Sequence, residues 1–274
     1  MCFYFVGTYA NYRFTPESQG VLDHASLYAP LTTVDAFGRR LMIGWIREER
    51  GDSDLRRAGW AGAQSIPRVL SLDSRSRLIM TLVPELNKLR DSQHHYAMQS
   101  LDGEITLGVR GWALEVEAEF ALGDQGLCTV TVAASVDGRE RTDVSYDAAS
   151  QRLIVRTVTQ AGGQERAVSH PLDAHENLAL RMLLDGSLLE IIANGRTSLT
   201  HRFYAADRSN DGVRLSGAGP RRSGSTCGKC RPSGAEARSL MGVCRLKTRR
   251  DRESYSGGES PQHFLLQIMK GTAA

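Results

Sequence analysis

No apolar run in the chain approaches the roughly 18–20 residues that a membrane-spanning helix needs, so no such helix and no membrane partner are expected. The apolar start, residues 1–6, is short. It has no basic segment and no small-residue cleavage site, so it does not read as a secretory signal, and a cytoplasmic location is the default. Cysteine is scarce: Cys2, Cys128, Cys227, Cys230 and Cys244 are the only 5 among 274 residues. An odd count without regular spacing excludes a disulfide framework and fits a reduced compartment. No internal repeat is clear enough to use, which argues against a repeat array. Helical periodicity is nearly absent; PELNKL (84–89), with Pro at the first helical position, is the best fragment, a turn or two.

What is present is enough apolar residue, 41%, for a packed core in one large or two ordinary domains. The net charge of +3 is uneven. Residues 217–274 hold eleven Lys and Arg against four Asp and Glu, whereas residues 1–216 hold 23 against 27. The folded part is therefore mildly acidic, and the basic excess is no argument for a nucleic-acid partner.

Short apolar runs separated by turn signals fill the first 83 residues. Residues 2–6 and 31–34 read as strands, Asp35-Ala36-Phe37-Gly38 as a turn, and residues 41–43 as a buried strand leading into Gly44 and Trp45. From about residue 92 to 216 the pattern is again β. Trp112, Leu114, Val116, Ala118 and Phe120 alternate with Glu115, Glu117 and Glu119, one face buried and one solvated. Asp137-Gly138, Asp185-Gly186 and Asn194-Gly195 are hairpin turns between further strands, as in an antiparallel sandwich. After residue 216, GAGPRRSGSTCGKCRPSG has no hydrophobic period and reads as disordered, and in the tail only HFLLQIM (263–269) could order, as a short strand or helix; the Arg-, Ser- and Cys-rich composition also suits a change of reading frame near Gly219.

The segment LDHASLYAPLTTVDAFGRRLMIGW (22–45), then GWAG (59–62) and SIPRVL (65–70), resembles the end of the catalytic propeller in glycoside hydrolase family 32, the invertase, levanase and inulinase group. PELNKLR (84–90) resembles its link, and DGSLLEIIANGR (185–196) with LTHRFY (199–204) its sandwich strands. The resemblance implies an all-β chain: the last portion of a five-bladed β-propeller (1–83), a linker (84–91), an antiparallel β-sandwich (92–216) and a disordered or out-of-frame basic tail (217–274). It implies hydrolysis of β-fructofuranosyl linkages with retention, on sucrose or fructan-type carbohydrate. That chemistry uses a carboxylate nucleophile and a carboxylic acid about 5–5.5 Å apart, and no cofactor. In the family these groups sit in Asn-Asp-Pro and Glu-Cys motifs, with an Arg-Asp-Pro stabiliser, all earlier than the segment seen here. None of the three occurs in these 274 residues, so no catalytic residue is assigned. The expectation is a late-starting fragment, inactive alone, whose partner could be the missing propeller portion.

The resemblance leaves one side of a sugar site as substrate-binding candidates. Asp23 would accept hydrogen bonds from sugar hydroxyls, and Tyr28 or Trp45 would offer a flat face to a ring; the family's Gly after the Asp-His pair is Ala25 here. Tyr28 and Trp45 could equally be core aromatics, and Asp23 a turn residue. Glu115, Glu117 and Glu119 read as a solvated strand face, and Glu190 as structural. His94-His95 reads as a solvated loop, because adjacent residues of a strand point to opposite faces. Cys227-x-x-Cys230, with Cys244 and His263, is half a zinc pattern with unfamiliar spacings, and no metal is expected. The alternative function is a carbohydrate-binding or dimerisation sandwich, which would need an exposed aromatic on the sandwich, where Trp112 is the only Trp.

Overall fold

Strands account for almost all regular structure in the computed structural model, which describes residues 2–98, 101, 103–160, 162–218, 241–249 and 265–269. The hairpin of β1 (Cys2–Ala10) and β2 (Arg13–Asp23) turns at Asn11 and Tyr12, both with positive φ. It leads into β3 (Leu27–Val34) and β4 (Arg40–Ile46). The expected turn between these two forms: Gly38 takes φ 75°, and Asp35 Oδ1 accepts the backbone N–H of Phe37 and Arg39 at 2.9 Å each. Met42 and Ile46 point into the core. Gly44 has to be small, because a Cβ there would lie 2.8 Å from the Leu27 side chain.

Helix α1 (Asp52–Ala58) was not legible in the sequence, because it buries no residue and so has no apolar period. It is set by charge and cap: Asp52 and Asp54 in its first turn, Arg56 and Arg57 in its last, and Gly59 with φ 74° closing it. The strands β5 (Ala63–Gln64), β6 (Arg68–Leu72) and β7 (Leu78–Leu82) complete a sheet in the order β3-β4-β6-β7, with β5 beside β4. The 3-10 helix Pro84–Leu89 follows, as the Pro-led fragment suggests.

The rest is two six-stranded sheets, built from β8 (Arg90–Met98), β9 (Gly103–Arg110), β10 (Ala113–Ala121), β11 (Leu127–Ala134), β12 (Arg141–Asp147), β13 (Arg152–Thr159), β14 (Gly162–Ser169), β15 (Leu178–Asp185), β16 (Leu188–Ala193), β17 (Thr197–Arg202), β18 (Gly212–Ala218) and β19 (Met241–Arg249). One sheet runs β17-β16-β15-β10-β19-β8 and the other β14-β13-β12-β11-β18-β9. Their inner faces enclose a core that includes Leu114, Phe120, Val130, Tyr146, Leu189, Ile191 and Leu215. A last strand, β20 (Leu265–Met269), pairs in parallel with β1.

Strands β16 and β17 are buried along their whole length. Leu189, Ile191 and Leu199 belong to the sandwich core, while Leu188 and Ile192 join Leu70, Met80 and Leu82 in a second core under the smaller sheet. Alternation by two residues thus feeds two cores from one strand. Truncating Leu189 or Ile191 to Ala would cost about 2–5 kcal/mol.

Three expectations are corrected. Residues 241–249 are a strand rather than disordered tail; β19 inserts between β10 and β8, its register setting Lys247 opposite Glu115 and Arg245 opposite Glu117, while 265–269 are a strand within the one stretch of the tail expected to order. The remainder of the tail, with Cys227, Cys230 and His263, lies outside the described residues. Glu115 is not solvated: it is fully buried and held by Arg90 (2.8 Å) and by Arg181, whose side chains from β8 and β15 close over it. His94 and His95 are exposed, as expected, but they lie in β8 rather than in a loop. No helix among the described residues is long and apolar enough to cross a membrane.

Candidate functional site

Chemistry-bearing side chains gather where the smaller sheet meets β16 and β17. The residues of β17 that face this seam are polar: Ser198, Thr200 and Arg202. The backbone of residues 23–26 lies along this strand, His24 N–H donating to Ser198 O at 3.1 Å and Ser26 N–H to Thr200 O at 2.9 Å. This covers what would otherwise be an open sheet edge.

Asp23 sits at the centre of the seam with 0% exposure. Its Oδ2 accepts from Ser198 Oγ (2.6 Å) and Thr200 Oγ1 (2.8 Å), and its Oδ1 from the N–H of Ala25 (3.0 Å) and Thr200 (3.2 Å). The sugar-facing role expected of Asp23 therefore gives way to a structural one, since the sandwich occupies both carboxylate oxygens. Arg68, also fully buried, donates from Nη1 to Ser198 Oγ (2.6 Å) and from Nη2 to Glu190 Oε2 (2.8 Å) and Thr200 Oγ1 (3.0 Å). Glu190 Oε1 accepts from Ile66 N–H at 2.8 Å. Burial pushes the Glu190 carboxyl above its ordinary range, against the pull of the Arg68 guanidinium.

Tyr28 and Trp45 face each other across β3 and β4, edge to face at 6.0 Å between ring centroids. Tyr28 is buried beneath the Arg47 guanidinium, 5.6 Å from its ring; Trp45 is half-buried. Gly62, φ 64°, lies at the Nε1 edge of the indole, where a Cβ would come within 2.2 Å of Trp45 Nε1. Of the three sequence candidates, Tyr28 and Trp45 are brought together, and Asp23 belongs to the network behind them.

Sequence reasoning missed a second cluster nearby. Arg50 stacks over Trp60 at 4.2 Å and over Tyr204 at 4.9 Å; buried Arg202 lies 5.2 Å from Trp60 and 5.4 Å from Tyr204. Glu48 accepts from Arg50 Nη2 at 2.8 Å and from the Tyr204 hydroxyl. Burial opposes ionisation of Glu48, but the hydrogen bonds from Arg50 and Tyr204 and the Arg202 charge outweigh it and hold its pKa well below the carboxylate range. Burial and the Glu48 hydrogen bond push the Tyr204 hydroxyl up to about 12. The signal for the first cluster was a charged residue inside an apolar run, Glu190 in LLEIIA; TSLTHR, polar except for Leu199, carried no such signal for Arg202.

A cleft of about 210 Å³ opens beside this cluster, lined in part by Glu49, Thr159, Gln164 and Tyr204. Its lining groups are already engaged: Thr159 Oγ1 donates to Gly162 O, Gln164 Nε2 to Arg202 O, and Glu49 accepts from Ser26 Oγ. Among the described residues no group of three or more His, Cys, Asp or Glu is placed to hold a metal.

Residues 1–81 match the family model described as glycosyl hydrolases family 32 N-terminal domain, and residues 85–225 that described as glycosyl hydrolases family 32 C terminal. The chain is 27% identical to sucrose-6-phosphate hydrolase of Escherichia coli over 65% of its own length and 36% of that protein. It is 26% identical to levanase of Bacillus subtilis over 77% of its length and 34% of the levanase. Among solved structures, fructan 1-exohydrolase IIa from Cichorium intybus superposes with a TM-score of 0.68 at 18% identity, covering 96% of this chain and 55% of that one. Exo-inulinase from Aspergillus awamori gives 0.70 at 16% identity, with 90% and 49% covered. The chain thus spans about half the length of those structures and less of the sequence relatives.

Proposed function

The chain belongs to glycoside hydrolase family 32, and from that premise we propose that it is the rear part of an enzyme that cleaves β-fructofuranosyl linkages in sucrose or fructans with retention of configuration. The observation that carries this reading is the match to both family models in order along one chain. The relatives named for sucrose-6-phosphate, levan, inulin and fructan support a fructosyl substrate class.

The chain itself is proposed to be catalytically silent. Double displacement needs a nucleophile and a proton donor on opposite sides of the bond. None of the three motifs that carry these groups in the family occurs in the sequence. The carboxylates gathered at the seam do not substitute, since Asp23 and Glu190 are buried among protein donors and Glu48 is locked by two arginines and a tyrosine. Trp45, half-buried and steadied by Tyr28 and Gly62, is proposed as the sugar contact this chain retains. The lectin-like alternative gains nothing from Trp112: its Nε1 donates to Arg208 O at 2.6 Å, and its ring lies against Phe203 and Arg208.

Release of fructose from sucrose, 1-kestose and levan by the purified chain is the test. No release above a buffer blank is expected. Turnover that co-purifies with the chain through two columns would overturn the silent reading and relocate the carboxylates to residues present here.

A further inference from the structure

We propose that Arg68, Asp23 and Glu190 form a latch that makes the smaller sheet and the sandwich open together, so that neither loosens alone. The inference concerns how the two parts move and is independent of the substrate reading above.

The three charges are shut away from water, with side-chain exposures of 0% for Arg68 and Asp23 and 3% for Glu190. Asp23 and Arg68 come from the smaller sheet's side, on β2 and β6; Glu190, Ser198 and Thr200 come from the sandwich, on β16 and β17. Bonds cross the seam in both senses. The Arg68 guanidinium donates outward to Ser198, Thr200 and Glu190, and the hydroxyls of Ser198 and Thr200 donate back to Asp23. The Thr200 backbone N–H reaches Asp23 as well, and Glu190 takes the backbone N–H of Ile66. Each side thus both donates to the other and accepts from it.

The apolar part of the same seam, Leu183, Leu188 and Ile192 against Leu70, Met80 and Leu82, has no such directionality. Apolar burial is indifferent to small sliding displacements. An ionic cluster is not: losing one partner strands an uncompensated charge in a dry interior. Two carboxylates share one guanidinium here, so parting Arg68 from either side leaves buried charge without its counter-charge. Water reaching one carboxylate therefore favours release of all three. A seam of this kind is open or shut, without a stable halfway state, and its use is to fix register rather than to add net stability.

Hydrogen exchange followed by mass spectrometry on the full chain reads this directly. In the unaltered protein, amides of residues 68–82 and of residues 188–202 are expected to exchange through one shared opening, with matching protection. In Glu190→Gln, and separately in Arg68→Lys, residues 68–82 are expected to exchange about 100-fold faster, while residues 128–146 of the far sheet change less than about 3-fold. Glu190→Gln keeps the shape and one of the two acceptor oxygens while removing the charge, so it gives the reading if Arg68→Lys does not fold. Protection lost evenly across all three regions would show a general stabilising role and overturn the latch. Unchanged protection of residues 68–82 in Glu190→Gln would overturn it too.

Discussion

His201, like Leu199, turns away from the seam on β17 toward the sandwich core. It is fully buried and stacked on Phe203 at 5.9 Å, with Nε2 2.8 Å from Thr157 Oγ1 and Nδ1 without a partner. Burial, reinforced by the Arg166 charge, lowers its pKa to about 4. A lowered histidine pKa means the unfolded chain binds the proton first. Stability from neutral His201 is therefore complete above about pH 6.5 and is lost as the pH falls toward 4, by an amount on the order of 3 kcal/mol. Thermal unfolding between pH 7 and 4 checks this: the melting temperature is expected to fall in that window, and His201→Gln to flatten the fall. Below it, Glu115 and Glu176, held at about 2 against burial by their arginines, withdraw further stability as they protonate. Little of this was legible residue by residue. Asp23 was singled out as a sugar contact rather than for its place in the seam, whose partners lie 175 and 177 residues away, a separation that no local pattern reports.

At the scale of elements the sequence was most readable where turn chemistry and alternation agree. Asp185-Gly186 and Asn194-Gly195 bound β15, β16 and β17, with Gly186 and Gly195 at φ 57° and 67° as tight hairpins demand. Reading failed in the two opposite cases. The helix α1 has no buried side, and β19 lies in a stretch whose flanks are Gly, Ser and Arg, so composition hid a nine-residue strand with alternating character. The pairing of β19 predicts its own test. Removing residues 219–274 leaves β10 and β8 without the strand between them, two open edges inside one sheet. The truncated protein is expected to be destabilised by more than about 3 kcal/mol and to aggregate, as read by urea unfolding and light scattering. A truncation that unfolds at the same urea concentration as the full chain would remove β19 from the sheet.

For the molecule as a whole, apolar surface is unevenly placed. Leu31, 68% exposed, and Val34 lie on β3, Phe37, 81% exposed, in the turn that follows it, and the exposed Phe3 on β1. This is where the remainder of a propeller is proposed to sit. Alone, the chain is expected to self-associate as its concentration rises, and Leu31→Lys with Phe37→Ser to suppress that in sedimentation velocity. The family resemblance conveyed this overall plan, sheet first and sandwich after, because motif order survives divergence. The seam between the two was invisible to it, since its members are scattered from Asp23 to Thr200 and acquire meaning only when folded. Strands β16 and β17, walled in on both faces, carry a consequence for anyone recombining such proteins. The sandwich is not an interchangeable cassette. A graft onto a foreign propeller would have to bring the receiving residues of the last sheet with it, and divergence on either side of that wall is constrained to proceed in step.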